Sequence, residues 1–287
     1  MAQIGTFNSM EVVSLTDFGA FLDGENLGTI LLPKKQCPEP IHEGDFINAF
    51  IYLDSEDRLI ATRIRPKAEV GQCALLEVKE LTTFGAFLDW GLPKDLLVPF
   101  GEQRKPMEAG QKHVVYLFVD NLTQRITGSA KLSNFLAEET DAYRVNDPVD
   151  LLIAGRTDLG YRAVVDQRYL GMVFNEDVLQ PLSIGQRIKG YVKTVRDDHK
   201  IDLMLQLQGH EARVDIADRI LKKLIDNGGV LELSDRSTPE AIYSAFQVSK
   251  GNFKKAIGRL LKQGKITQET HRILLQNDQS PSNSKGG

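Results

Sequence analysis

Residues 14–23 of the chain read Ser-Leu-Thr-Asp-Phe-Gly-Ala-Phe-Leu-Asp, and nearly the same block returns at residues 80–89 as Glu-Leu-Thr-Thr-Phe-Gly-Ala-Phe-Leu-Asp. Each block leads into a Leu-Leu-Pro or Leu-Leu-Val-Pro segment, at 31–33 and 96–99, and then into a glycine turn and an alternating apolar run. A repeat that extends this far predicts two consecutive copies of one small domain.

A third and weaker copy begins near Val145. Thr157-Asp158-Leu159-Gly160 occupies the place of the Phe-Gly motif, with Leu159 and Arg162 where the two aromatic residues of the other copies stand. Apolar residues alternate over short runs, as from Ile47 to Leu53, which is the period of half-buried antiparallel strands. A unit of this size buries its sheet edges by closing into a five-stranded barrel. The sequence therefore predicts three tandem barrels of the oligonucleotide-binding (OB) fold.

The pattern changes to helical spacing beyond Gly209. An apolar stripe that includes Ile216 and Ile220 continues until Asn227-Gly228-Gly229 stops the helix, and two further helices follow. Residues 265–267 and 272–275 read as a two-stranded hairpin, so the segment predicts a winged helix. We expect a mainly β chain with an α-helical C-terminal domain, divided into barrels at 1–67, 68–134 and 145–208, a winged helix at 211–276 and a disordered tail at 277–287.

Composition limits the class of function. The 287 residues are 41% hydrophobic and 26% charged, which is typical of a globular chain, and the formal net charge of -4 argues against a protein that coats nucleic acid by bulk charge. No apolar stretch or leader points to a membrane, so we expect a cytoplasmic protein. The two cysteines and five scattered histidines form no metal or catalytic motif. We therefore expect no cofactor, no metal and no enzymatic activity.

The paired aromatic residues are the first candidates for binding. Phe18 and Phe21 are three positions apart, and a bulge at Gly19 would bring both rings to one face, where each could stack an RNA base. Phe84 and Phe87 repeat the arrangement. The alternative that remains open is that one phenylalanine of each pair fills its barrel.

The first two units resemble the RNA-binding domain of ribosomal protein S1, over residues 4–66 and 70–132. The resemblance rests on Phe-Gly-Ala-Phe, on the following glycine turn, and on Asp54 followed four residues later by Arg58. It implies an RNA-binding face formed by Phe18, Phe21, Asp54 and Arg58 in the first unit and by Phe84, Phe87, Asp120 and Arg125 in the second. The family's third-strand histidine has no counterpart, and Asp120 to Arg125 is one residue longer than the usual spacing.

Further candidates lie in the other two domains. In the third unit we expect Tyr161 and Arg162 to give supporting stacking and cationic contacts. The predicted recognition helix and wing of the C-terminal domain carry a cluster of basic residues, namely Lys250, Lys254, Lys255, Arg259, Lys262, Lys265 and Arg272. Such a local basic patch suits phosphates, although a solvated helix face is the alternative.

Three such barrels followed by a winged helix resemble the conserved virulence factor B family, whose members are regarded as RNA-binding regulators. The resemblance implies a protein that binds single-stranded RNA and acts on gene expression post-transcriptionally. Two alternatives remain open. One is a winged-helix transcriptional regulator that binds duplex DNA, and the other is an adaptor that docks on ribosomes or on a nuclease of RNA decay.

Overall fold

The chain folds into two compact units, Met1–Leu205 and Gln206–Gly287. A computed structural model describes residues 1–178, 181–206, 210–246, 248 and 250–276, with the backbone alone at 210–215. The predicted disordered tail at 277–287 lies outside the described residues. The prediction of a mainly β chain with three closed five-stranded barrels and a C-terminal winged helix is confirmed.

The three barrels share one strand order. Barrel 1 comprises β1 (Phe7–Thr16), β2 (Gly19–Asp23), β3 (Thr29–Pro33), β4 (Phe46–Leu53) and β5 (Leu59–Thr62). Barrel 2 comprises β6 (Cys73–Leu81), β7 (Gly85–Asp89), β8 (Leu96–Pro99), β9 (Lys112–Val119) and β10 (Ile126–Ser129). Barrel 3 comprises β11 (Pro148–Arg156), β12 (Gly160–Val165), β13 (Tyr169–Phe174), β14 (Arg187–Val195) and β15 (Ile201–Met204). In each barrel the first strand pairs with the second and fourth, and the fifth strand runs parallel to the third and closes the barrel.

Barrels 1 and 2 share apolar packing. The residues predicted to face inward on β4, such as Ile47 and Ile51, are buried in the core of barrel 1. Phe50 and Tyr52, on the other face of β4, are also buried, because they pack into the same cluster as Trp90 and other residues of barrel 2. The Phe50 and Trp90 rings meet edge to face with centroids 5.8 Å apart. Barrel 2 therefore covers one outer face of barrel 1.

Barrels 2 and 3 are joined around Cys73. The Cys73 amide donates to Gln167 Oε1 at 2.7 Å, and the Arg187 guanidinium donates to the Cys73 carbonyl at 3.2 Å. A buried apolar cluster surrounds this junction and includes Val114, Leu132, Leu136, Leu152, Val164 and Leu170. Burial raises the pKa of the Cys73 thiol to about 12, so this cysteine is a packing residue.

A glycine begins the second strand of every barrel. The φ angles are +147° at Gly19, +151° at Gly85 and +155° at Gly160. A Cβ atom there would lie 2.0, 2.3 and 2.1 Å, respectively, from a backbone carbonyl oxygen of the third strand. Only glycine allows the two strands to approach this closely in this backbone conformation.

The prediction of a bulge at this glycine is wrong. The pairing register instead shifts on the first strand of each barrel, between Val12 and Ser14, between Val78 and Glu80, and between Ile153 and Gly155. An extra residue on the first strand increases its bend and twist, which helps this long strand to pair with both of its neighbours in a closed barrel. The glycine itself serves the close contact with the third strand.

The second unit has the predicted helices and wing. Its described elements are α1 (His210–Asp226), β16 (Val230–Leu231), α2 (Pro239–Phe246), α3 (Lys250–Lys262), β17 (Ile266–Gln268) and β18 (Ile273–Leu275). α1 ends where the Asn-Gly-Gly run predicted, and β17 pairs with β18. The sequence did not predict β16, which adds a third strand to the sheet by pairing with β18. Among the described residues, no helix has the length and apolar character needed to cross a membrane.

Replacing Gly85 by alanine tests the close contact. The new Cβ would meet Val98 O at 2.3 Å in a backbone conformation that alanine resists, so we expect a loss of roughly 2–3 kcal/mol in the free energy of unfolding. Urea unfolding followed by circular dichroism measures this loss. Gly101→Ala is the matched control, since no heavy atom lies within 4 Å of its Cβ position. Equal stability of the two variants would contradict the role of Gly85.

Candidate nucleic-acid interface

A tight turn before the second strand holds an apolar side chain out of each barrel. The side chains in this position are Phe18, Phe84 and Leu159, which are 78%, 73% and 65% exposed. A threonine closes each turn by donating its hydroxyl to the carbonyl of the following glycine, with Thr16 to Gly19 at 3.0 Å, Thr82 to Gly85 at 3.2 Å and Thr157 to Gly160 at 3.1 Å. The turn therefore presents these residues to solvent at equivalent places.

The second position of the motif lies on the outer face of the strand. Phe21 and Phe87 are half-buried, while the residues beside Phe21, Ala20 and Leu22, are fully buried inside barrel 1. Strand alternation explains this division. The alternative in which one phenylalanine of each pair fills the barrel is therefore excluded, because the interior positions belong to smaller or aliphatic side chains.

In barrel 1 the predicted Asp54 and Arg58 form a closed pair. Arg58 donates Nε and Nη2 to Asp54 Oδ2 at 2.9 and 2.8 Å, and Asp54 Oδ1 accepts the amides of Glu56 and Arg58. Burial opposes ionisation of Asp54, but the backbone and side-chain hydrogen bonds from Arg58 outweigh it and lower the pKa of this carboxyl. Arg58 stays largely exposed, so its guanidinium remains accessible from solvent.

In barrel 2 the equivalent residues, Asp120 and Arg125, have different partners. Asp120 Oδ1 accepts from the amides of Leu122 and Thr123 and from the Thr123 hydroxyl, which lower the pKa of Asp120. Arg125 turns away and pairs with Asp57 of barrel 1. The predicted Asp120 and Arg125 therefore lie on the same loop but make no ion pair with each other among the described contacts.

In barrel 3 the two predicted binding residues, Tyr161 and Arg162, point to opposite sides of the second strand. Its register places Arg162 at the position of Phe21 and Phe87, as predicted. Tyr161 is the next residue inward and is only 4% exposed, in the barrel core. The prediction that Tyr161 contacts RNA is therefore wrong. Arg162 is half-buried and forms an ion pair with Glu138.

Sequence reasoning missed three residues of barrel 3. Phe174 pairs with Gly160 as Pro33 and Pro99 pair with their glycines, so it stands at the equivalent place on the third strand. Arg196 and Lys200 stand at the equivalent ends of the last hairpin, joined by an amide-to-carbonyl bond of 2.9 Å. The spacing of Phe174 from the motif glycine, 14 residues as for Pro33 and Pro99, was the signal that could have found it. Arg196 and Lys200 lie one residue further from their glycine than Asp54 and Arg58 do from theirs, so spacing alone did not point to them.

These residues line one groove of about 340 Å³ together with Leu159 and Arg162. The Arg196 guanidinium lies over the Phe174 ring, 5.4 Å from its centroid, and pairs with Asp202 at 2.8 Å. Barrel 3 thus replaces the second aromatic ring of the motif with a cation and adds a cation-covered ring beside it. This chemistry suits phosphates and base faces together.

The turn of the same hairpin contains Asp197, Asp198 and His199. His199 Nδ1 lies 2.6 Å from Asp141 Oδ1, in the segment that leads into barrel 3, and its carbonyl accepts the Thr140 amide at 2.9 Å. The hydrogen bond and charge of Asp141 raise the pKa of His199. These side chains therefore tie the hairpin to the preceding segment.

The basic residues of the winged helix lie mainly on α3. Phe253, Ala256, Ile257 and Leu260 bury one face of this helix, which leaves Lys254, Lys255 and Lys262 exposed on the other. Lys250 and Arg259 are half-buried at its borders, and Lys265 and Arg272 are exposed at the wing. Lys254 lies 3.7 Å from Asp235 and Arg272 lies 2.7 Å from Glu269, so acidic neighbours partly offset both cations.

Comparison with known proteins identifies the family. The S1 domain family matches residues 4–63, and the CvfB-like winged helix domain matches residues 218–275. The uncharacterized protein YitL of Bacillus subtilis is 32% identical over 88% of this chain and 87% of its own length. The chain belongs to the conserved virulence factor B family. The family member of that name from Staphylococcus epidermidis is 28% identical, over 95% of this chain and 94% of its own.

One solved structure is also similar in sequence to this chain. It is a multidomain protein with nucleic acid binding domains from Streptococcus pneumoniae, 27% identical, covering 95% of this chain and 98% of its own, with a TM-score of 0.42. For the virulence factor B family chain described here, the S1 domain and the winged helix are both nucleic-acid-binding domain types rather than enzymatic ones. The family assignment therefore agrees with the equivalent surface groups found on the barrels.

The ion pair of His199 gives a prediction about pH. Because Asp141 raises the pKa of His199 above its ordinary value of 6.5, the pair stabilises the folded chain at low pH and is lost as the pH rises through the raised value. NMR titration of the imidazole should show a pKa above 6.5 that falls in Asp141→Asn. His113, whose pKa is lowered by burial, is the internal control. A His199 pKa unchanged by Asp141→Asn would contradict the pairing.

Proposed function

We propose that this chain binds single-stranded RNA through the equivalent faces of its barrels, assisted by the winged helix, and thereby regulates gene expression post-transcriptionally in the cytoplasm. The observation that carries the proposal is the threefold repetition of one exposed turn. Each barrel presents an apolar side chain at the same place, and in barrels 1 and 2 the rings of Phe18 and Phe84 are largely exposed to solvent. Exposed rings of this kind are suited to stacking unpaired bases.

Stacking favours single strands because a base in a duplex already has both faces covered. Without a ligand, a largely exposed ring keeps its apolar surface in water, and this costs free energy. Such exposed rings are unusual at equivalent positions of repeated domains unless they bind something. The loop cations Arg58 of barrel 1 and Lys200 of barrel 3 pair with Asp54 and Asp198 of their own loops, but these ion pairs are exposed to solvent and weak, so both cations can exchange the carboxylate for a phosphate. Stacking and phosphate contact together give affinity without strict sequence dependence.

The winged helix supports a second candidate function. The exposed cations Lys254, Lys255 and Lys262 share one face of α3, the helix that enters the major groove in winged-helix proteins that bind DNA. This observation favours duplex DNA as an alternative ligand. A role as an adaptor for ribosomes or for a nuclease requires no nucleic-acid affinity at all.

Binding titrations separate these functions. We expect fluorescently labelled single-stranded RNA to bind the full chain more tightly than duplex DNA of equal length. Phe84→Ala/Phe87→Ala should weaken RNA binding by roughly 30-fold or more, since stacking contributes about 1–3 kcal/mol per base and the variant removes two rings. Lys254→Ala/Lys255→Ala should weaken it less and reduce its dependence on salt concentration. Fluorescence anisotropy at low and moderate salt measures both effects.

Matched control variants show whether the loss of any exposed ring or cation is enough to lower RNA affinity. Phe46→Ala removes a 70% exposed ring at the start of β4, at the far end of that strand from Asp54, and should leave RNA affinity unchanged. Lys222→Ala removes an exposed cation of α1 and serves the same purpose for the lysine pair. A preference for duplex DNA that survives the aromatic changes would support a transcriptional regulator. Absence of binding to either nucleic acid would overturn the proposal in favour of the adaptor.

A further inference from the structure

A groove lies between barrels 1 and 2 on the candidate face of barrel 2. It has a volume of about 500 Å³, within the range of small-ligand pockets, and is mainly apolar. Phe87, Leu97 and Pro99 of barrel 2 line one side of it, and Leu53 and Asp57 of barrel 1 line another. The groove is therefore built by two barrels and is incomplete in either alone.

Polar contacts hold the two walls together. Lys94 of barrel 2 donates to the Asp54 carbonyl at 2.5 Å and pairs with Asp57 Oδ1 at 3.1 Å. Arg125 pairs with the second oxygen of Asp57. Beneath them Trp90 packs on Phe50. Both cations at this junction are thus engaged by barrel 1, and the hydrogen bonds from Lys94 and Arg125 keep Asp57 ionised by lowering its pKa.

The extra residue in the last hairpin of barrel 2 changes the hydrogen-bond partners of Asp120. In barrel 1, Arg58 closes on Asp54 Oδ2 with two hydrogen bonds. In barrel 2, Gln124 takes a left-handed conformation with φ of 57°, and Arg125 reaches Asp57 instead of Asp120. Among the described residues, every hydrogen bond to the Asp120 carboxylate falls on Oδ1, which leaves Oδ2 without a partner.

These features define what can occupy the groove. Its apolar side suits a planar base, and its cations are already paired, so it offers little to a phosphate. The half-buried Asp120 contributes an ionised acceptor oxygen, so the occupant should donate hydrogen bonds. Of the four bases, guanine presents two adjacent donors, N1–H and N2–H₂, whereas uracil presents a single donor between two carbonyl oxygens.

We propose that the groove between barrels 1 and 2 accepts one unpaired guanine of a bound RNA strand, with Asp120 as the residue that selects it. Asp57 acts as a positioning residue, because it holds Arg125 away from Asp120 and leaves Oδ2 free. The inference rests on the proposed RNA binding and adds a base preference to it. Carboxylate recognition of this kind contributes discrimination between bases more than total affinity.

The test uses the full chain and four labelled oligonucleotides, oligo(U) and the same strand with a single central G, A or C. We expect the G strand to bind about tenfold more tightly than oligo(U), which is the lower end of the discrimination given by specific base contacts. Asp120→Asn should bring the ratio of the G-strand affinity to the oligo(U) affinity close to one. Asp57→Asn should reduce the preference as well, because Arg125 is then released toward Asp120.

Two further readouts sharpen the result. Trp90 is the single tryptophan of the chain and lines the groove, so its fluorescence should change on binding the G strand more than on binding oligo(U). Glu43→Gln, which neutralises an exposed carboxylate of barrel 1 outside the groove, is the control for loss of charge and should keep the preference. Circular dichroism verifies that each variant is folded.

The outcomes separate this inference from the proposed function. Tight binding of all four strands with equal affinity, or a guanine preference that persists in Asp120→Asn, would overturn the guanine site while RNA binding stands. Failure of the wild-type chain to bind any of the four strands would overturn both. A preference lost in Asp120→Asn and retained in Glu43→Gln supports the site as described.

Discussion

The close approach of two backbones at one glycine is the constraint on which each barrel depends. Gly19, Gly85 and Gly160 lie so near a carbonyl of the third strand that no side chain fits, and the threonine-closed turn before each glycine follows from this contact. The turn takes one apolar residue out of the barrel, and strand alternation then places the second motif residue on the outer face. Backbone packing therefore positions the candidate binding groups before any ligand is considered.

On this common frame the three barrels carry different chemistry. In barrel 1, Asp54 and Arg58 pair with each other. In barrel 2, Arg125 pairs with Asp57 of barrel 1, and among the described residues Oδ2 of Asp120 is left as a free acceptor. Barrel 3 replaces a ring with Arg162 and gains Phe174 under a guanidinium. Under the proposed function, barrels 1 and 2 of this repeated scaffold bind bases by stacking, and Asp120 of barrel 2 selects one base by its donors.

Much of the fold could be predicted because it depends on local patterns. The repeated Phe-Gly block, the alternation on β4 and the Asn-Gly-Gly stop after α1 each specify their own segment. The prediction that Tyr161 contacts RNA failed because the third copy lacks the aromatic pair that marks the outward positions. Its position next to the glycine matches the inward Ala20 and Ala86. The partnership of Arg125 with Asp57 could not be predicted, since it depends on how two separate barrels pack. The two-residue β16 is too short to show any period.

Photo-crosslinking shows directly whether the bases of a bound RNA lie on the equivalent faces of the barrels. Single-stranded RNA carrying 4-thiouridine would be crosslinked to the full chain, and mass spectrometry would identify the modified peptides. Crosslinks are expected in the segments that contain Phe18, Phe84 and Phe87, and in the segment of barrel 3 that contains Phe174. Crosslinks confined to barrel surfaces away from these residues, or found only in the winged helix, would contradict this placement of the bases.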